Sequence, residues 1–400
     1  MSEVNQEFVR VDLPREGLPD LIDSRRGLTW AAEKLASGVG PVAIDAERAS
    51  GFKYSQRAYL VQLRRENAGT FLIDPTEFEN LSPIQDSLKD VDWILHAASQ
   101  DLVCLSQVGL KPTKSLFDTE LAGRLLGLPK VGLGTLVETH LGFSLAKEHS
   151  AADWSTRPLP DEWLAYAALD VEFLIELWQI LHAQLTEQNK LDWAIEEFNH
   201  VMVNTAPIVR EEPWRRISGI HKIKDRRQLA VARSIWQARD QIAAELDIAS
   251  GRLLNDSQLV EMAIQANWDQ VLELPFIKLR IIQRNLKQWE KAFKAGQALA
   301  QEHLPDLKVK TDSPPHPRNW QSRHPELYAN FEAVRFALGN LAEELMLPIE
   351  NLISPEVIRR IIWKRPKDFA SVEEILTEHK VRNWQKQLIS KPLTEVLNLN

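Results

Sequence analysis

The sequence predicts an α/β domain, a mixed sheet flanked by helices, followed by two small all-α modules. Three observations lead there. Over the first 200 residues, short apolar runs alternate with helical patterns, whereas beyond about residue 225 only the helical pattern persists. A helical stretch recurs at an offset of 99 residues. Finally, 400 residues with 44% hydrophobic and 26% charged content describe a globular chain too long for one ordinary core.

The strand candidates are residues 41–47 (PVAIDAE), 58–64 (AYLVQLR), 70–74 (TFLID) and 92–97 (DWILHA), with turn signals at Ala68-Gly69 and Asp74-Pro75. Short links between the first three predict an antiparallel meander. Helices are expected at 99–107, 118–127, 133–140 and 160–187, the last opened by Pro160 and Asp161. In the second half, residues 242–260 (IAAELDIASGRLLNDSQLV) align with 341–358 (LAEELMLPIENLISPEVI), matching Leu246 with Leu345, Leu253 with Leu352 and Leu259 with Ile358. A single repeat of this length indicates two copies of a helical module, because solenoid repeats are shorter. Residues 303–324, polar and holding four prolines, read as the linker. The expected boundaries are 1–208 for the α/β domain, 209–302 for the first module and 325–400 for the second.

The net charge of −8 is unevenly placed. Residues 1–200 carry 18 basic and 31 acidic side chains; residues 201–400 carry 30 and 25. The stretch 210–239 alone holds nine Lys or Arg against three acids. An acidic half able to hold cations, joined to a basic half able to meet a polyanion, suggests divided labour. Within the basic stretch, Lys222, Lys224, Arg226 and Arg227 precede a helix and could contact phosphates without reading sequence. Trp214, Trp236, Trp320 and Trp384 lie among basic residues and could stack on bases. The single Cys104 excludes an internal disulfide. The absence of a signal-like or membrane-spanning apolar run points to a cytoplasmic enzyme.

The chemistry gathers in the first 170 residues: Asp45 and Glu47 in PVAIDAER, Asp101 in LHAASQDL, and Tyr166 with Asp170 in WLAYAALDV. Each lies on or beside an apolar stretch, where a carboxylate is costly unless neutralised. Asp45 and Glu47, two apart on a strand, share one face of the sheet. There the two negative charges raise each other's pKa until a cation relieves them. Tyr166 and Asp170, four apart on a helix, share a face on successive turns. Asp101 falls in a first helical turn, where the backbone dipole favours an anion. Four carboxylates with no Cys or His cluster form an oxygen-only set, which selects Mg²⁺ or Mn²⁺ over Zn²⁺ and suits two divalent cations. A tyrosine hydroxyl one turn from a ligand is placed to orient an attacking water. Gly132 and Gly134 do not form a dinucleotide loop, because Val137 stands where the third glycine is required.

The order DxE, HAxxxDL and YxxxD resembles the tyrosine subclass of the DEDD 3′→5′ exonucleases, and within it the ribonuclease D family. Supporting text includes DAERASGFKYSQRAYLVQLR, LFDTELAGRLLG and KEHSAADWSTRPLPDEWLAYAALDVEFLIEL. The helical modules resemble HRDC domains. The resemblance implies a ribonuclease H-like exonuclease domain over about 25–205. It implies that Asp45 bridges two metals, that Glu47 and Asp170 complete the site holding the nucleophilic water, that Asp101 holds the second metal, and that Tyr166 orients the water. It also places Gln62 and the segment from Lys147 to Arg157 near the 3′ end of a bound strand. The expected activity is a Mg²⁺- or Mn²⁺-dependent 3′→5′ exoribonuclease acting on RNA with a free 3′ end, such as precursor tRNA or small structured RNAs, and releasing nucleoside 5′-monophosphates. The alternatives are a DNA-directed exonuclease and a non-catalytic scaffold. Two departures from the family pattern stand out: Ala46 occupies a position where many relatives have Thr, and LELPFIKLRII (272–282) replaces a Gly-rich turn.

Overall fold

The computed structural model describes residues 8–146, 149, 151–204, 210–308 and 313–399. Among these residues, eight strands run in chain order: β1 Val9–Val11, β2 Leu21–Ile22, β3 Val39–Arg48, β4 Ala58–Glu66, β5 Gly69–Ile73, β6 Asp92–Leu95, β7 Ser115–Asp118 and β8 Phe143–Leu145. Six of them form one sheet in the order β2-β5-β4-β3-β6-β7, and β1 pairs with β8 in a second, two-stranded sheet. The central β3, β4 and β5 form the antiparallel meander that the short links predict, while β6 and β7 continue the sheet in parallel. The longest strands lie at the centre because both of their faces are covered; Val42, Ala43, Ile44, Val61 and Leu63 are fully buried. The short strands β1, β2, β7 and β8 were not legible as runs, since two to four residues carry too little periodicity.

The helix expected over 160–187 is two helices, Asp161–Glu172 and Leu174–Glu187. Residues far away in sequence meet the chain at this break. Arg15 Nη2 donates to the main-chain oxygen of Glu172 at 3.1 Å, taking an acceptor that a continuous helix would give to residue 176. Arg15 Nε also pairs with the fully buried Glu172 carboxylate at 2.6 Å, and Arg64 on β4 approaches it at 3.4 Å. These contacts anchor the end of Asp161–Glu172 to the sheet, and that helix packs across β3, β4 and β5.

The helical half keeps the 99-residue offset element by element. Arg226–Leu246, Ser250–Leu253 and Asp256–Ala263 begin 99 positions before Pro325–Glu344, Ile349–Leu352 and Pro355–Lys364. Even the left-handed residues that follow the long helices, Asp247 and Met346, keep it. The copies diverge at 272–282, where the first forms a 3₁₀ turn, Pro275–Lys278, and one helical turn, Arg280–Gln283. The expected linker is too long at its C-terminal end. Trp320–Arg323 is a helical turn, and Trp320 is fully buried in the core shared by the second module and the α/β domain.

Both modules dock on the α/β domain. The first grips the loop between β3 and β4: Asp247 accepts from the Ser55 N–H at 2.9 Å and the Tyr59 hydroxyl at 3.3 Å, Tyr54 donates to Asp240 at 3.0 Å, and Arg252 lies over the Phe52 ring. The second docks on the helix Leu191–Val203, where Glu197 accepts from Arg382 and from Trp384 Nε1, and Trp193 stacks on Trp384. Gly127 permits that approach. A Cβ there would lie 2.2 Å from the Met346 oxygen, and its φ of +73° is left-handed. No helix among the described residues is long and apolar enough to cross a membrane.

Candidate metal centre

The carboxylates of Asp45, Glu47 and Asp170 converge, with one oxygen from each lying within 4.8 Å of the others. Asp45 and Glu47 extend from one face of β3, and Asp170 descends on them from the helix Asp161–Glu172. Asp101 stands apart from this trio, at the N-terminus of Leu102–Gln107, yet its charge acts on Asp170 and Glu47 and is acted on most strongly by Asp45. At that helix end Asp101 makes no capping bond among the described residues, so its buried carboxylate is not consumed by its own backbone. The neighbouring turn is held instead by Asp118. That carboxylate accepts from the N–H groups of Ala97 and Ala98 as well as capping its own helix through Glu120 and Leu121. Asp118, a plain helix opener in the sequence, thus also braces the turn that carries Asp101.

The electrostatics describe a site that lacks positive charge. Burial pushes the Asp45 carboxyl up to about 6, against an N–H from Ala46 and the charge of Arg48. Burial, and then the charge of Asp45, push Asp101 up to about 8. Glu47 and Asp170 are held well above the usual carboxylate range by burial and by the other acids. The Tyr166 hydroxyl lies against Asp170, and burial and the surrounding carboxylates raise its pKa, so it is a hydrogen-bond donor at neutral pH. A divalent cation relieves all of these shifts at once, and a donor set of oxygens fits a hard cation. His96 bonds Thr119 at 2.9 Å and is lowered by burial to about 4, so it stays neutral. A cavity of about 540 Å³ opens beside Tyr166, lined in part by Ser144, Leu145, His149, Glu162 and Ala165.

The expected nucleic-acid contacts fare differently. Gln62 is fully buried on β4 and has no surface to offer a strand. Arg157 is also committed. Its guanidinium grips the buried Asp74 bidentately at 2.5 and 2.7 Å and donates to the main-chain oxygens of Tyr59, Trp154 and Thr156, which occupies all five donors. Arg157→Ala is expected to destabilise the fold by about 3–5 kcal/mol, read as a lowered melting temperature, because it strands the Asp74 charge. Lys147 lies outside the described residues. Arg226 and Arg227 donate to main-chain oxygens at 304–305 and 299, whereas Lys222 and Lys224 are exposed. Trp214, Trp320 and Trp384 are buried and present no free ring face for stacking, whereas Trp236 is partly buried against the module core. Burial decides these cases, and local composition does not report it.

Comparison with known proteins agrees with the geometry. Residues 19–186 match the 3′-5′ exonuclease family model, 228–292 the HRDC domain, and 313–397 the 3′ to 5′ exonuclease C-terminal domain. Ribonuclease D of Bartonella henselae is 31% identical over 255 residues, covering 62% of this chain and 61% of that protein. Ribonuclease D of Acidiphilium cryptum is 32% identical, covering 63% and 64%. The chain thus spans about three fifths of the length of these relatives. A protein from Bifidobacterium adolescentis shares the fold over 98% of this chain and all of its own, at a TM-score of 0.90 and 36% identity. Escherichia coli RNase D, described as an exoribonuclease involved in structured RNA processing, has the same fold at a TM-score of 0.71 and 22% identity, over 95% of this chain and 98% of its own. Residues 19–186 of this chain thus form a 3′-5′ exonuclease domain, and over about three fifths of its length the chain is similar to ribonuclease D.

Proposed function

We propose that this protein is a metal-dependent 3′→5′ exoribonuclease, removing single nucleotides from RNA 3′ ends and releasing nucleoside 5′-monophosphates. The observation that carries this reading is the convergence of Asp45, Glu47 and Asp170 beside Tyr166, within the stretch that matches the exonuclease model. Asp45, Glu47 and Asp170 would hold one divalent cation, and Asp101 a second, with Asp45 shared between them. When bound, two cations, Mg²⁺ or Mn²⁺, supply an activated water and neutralise charge on the leaving oxygen. Tyr166, whose raised pKa keeps the proton on its oxygen and which lies against Asp170, would orient that water. The cavity beside Tyr166 is of a size for one nucleotide and would receive the terminal residue. Precursor tRNA and small structured RNAs are the proposed substrates, with the helical modules gripping the RNA body.

The test is a gel of 3′- and 5′-labelled RNA, with matched DNA oligomers alongside, in Mg²⁺, Mn²⁺ and EDTA. The expected result is metal-dependent stepwise shortening from the 3′ end of RNA. Equal cleavage of DNA would show that the 2′-hydroxyl is not read. Tyr166→Phe is expected to slow turnover by about 10²-fold with unchanged Mn²⁺ affinity, because only the proton that orients water is lost. Unchanged kcat would remove that role. Lys222→Ala with Lys224→Ala is expected to weaken RNA binding and flatten the slope of log K against log salt by about 1.4, or 0.7 per lost phosphate contact on a single strand. A slope equal to that of the unmodified protein would place the phosphate contacts elsewhere.

A further inference from the structure

A fully buried amide stands beside the acidic cluster with neither end satisfied. Gln62 is 0% exposed, and among the described residues neither its Nε2 nor its Oε1 has a hydrogen-bond partner. Such groups are rare, because taking an amide out of water costs free energy that a hydrogen bond normally offsets. Leu60, two residues away on the same face of β4, is apolar and fully buried, so the bulk of the site does not itself call for an amide. The sheet register places the amide. Gln62 on β4 stands directly across from Asp45 on β3. Directly opposed residues of antiparallel strands face the same way, with Cβ atoms about 4.5–5.5 Å apart. The helix that carries Tyr166 and Asp170 packs over these strands. Asp45 receives one N–H, from the backbone of Ala46. Metal-ligating carboxylates are commonly held by further donors, which fix the orientation of the ligand.

We propose that Gln62 is a positioning residue for Asp45: with a cation bound, its Nε2–H, unpartnered in the metal-free structure, would donate to the Asp45 carboxylate and hold it in the orientation that takes the cation. Gln62 touches neither metal nor RNA. The inference rests on the metal-centre reading and extends it by one residue.

The experiment compares Mn²⁺ dissociation constants, measured by calorimetry on the full chain, for Gln62→Met, Gln62→Leu and Asp45→Asn, with melting temperatures alongside. The Met and Leu replacements keep the bulk and remove the donor. They are expected to melt at or above the temperature of the unmodified protein and to bind Mn²⁺ about 10-fold or more weakly. A role in packing alone would leave the Mn²⁺ constant unmoved. Unchanged Mn²⁺ binding in both folded variants, together with weakened binding in Asp45→Asn, overturns the role of Gln62 and leaves the metal centre standing. Unchanged binding in Asp45→Asn as well overturns the metal centre and this inference with it. Failure of both Gln62 variants to fold, read by circular dichroism, makes the amide a requirement of the fold and likewise overturns the proposal.

Discussion

Asp45→Asn is expected to lower the hydrolysis rate on the order of 10³-fold while leaving the fold and RNA binding intact. The substitution keeps the shape of the side chain and removes one negative charge from the only residue that belongs to the close trio and also dominates the charge felt by Asp101. Losing it weakens cation binding on both sides of the site. Stability should move the other way. The carboxyl of Asp45 is pushed up to about 6, so its ionised form is unfavourable in the metal-free fold. A neutral amide removes that penalty and lightens the load on Glu47, Asp101 and Asp170. The metal-free variant should therefore melt no lower than the parent, and Mn²⁺ should raise its melting temperature much less. RNA retention is measured by filter binding. Hydrolysis at the parental rate in purified Asp45→Asn would remove the carboxylate from the reaction.

The second large effect concerns pH and metal together. Acids whose pKa is raised by folding bind more protons in the folded state than in the unfolded one. Their contribution to stability is present below the unfolded value near 4 and is lost as pH rises, through about 6 for Asp45 and about 8 for Asp101. Each unit of elevation corresponds to about 1.4 kcal/mol at the high-pH end. The metal-free protein should thus melt progressively lower between pH 5 and pH 9. Added Mg²⁺ or Mn²⁺ should restore more stability at pH 8.5 than at pH 5, because cations displace the same protons. Differential scanning in EDTA and in Mn²⁺ at three pH values reads both effects. A metal-induced shift that does not grow with pH would separate the acids from the cation site.

Much of this was legible from local pattern. Asp45 and Glu47 share a strand face because the period of a strand is two, and Tyr166 and Asp170 share a helix face because they lie four apart. Both relations depend on local geometry alone, and the structure keeps both. The meander and the 99-residue offset were readable for the same reason. What escaped depends on distant partners. Arg15 binds the end of a helix 157 positions away. Arg157, a basic residue in a segment assigned to substrate, is consumed by Asp74 from 83 positions away. Trp320 sits in a polar, proline-rich stretch and is nonetheless core.

The sequence by itself determined which carboxylates and which hydroxyl this protein has, their order, and the strand and helix faces that display them, since those follow from backbone periodicity. Only the tertiary structure decided which of them meet. Three carboxylates converge because a helix from residue 161 lies across β3 and is pinned there by Arg15 and Arg64, and Asp101 faces them because Asp118 holds its turn. It also decided which polar residues are withdrawn from solvent, Gln62 and Arg157 among them. Burial is a sum over every neighbour in space, and most of those neighbours are remote in the chain.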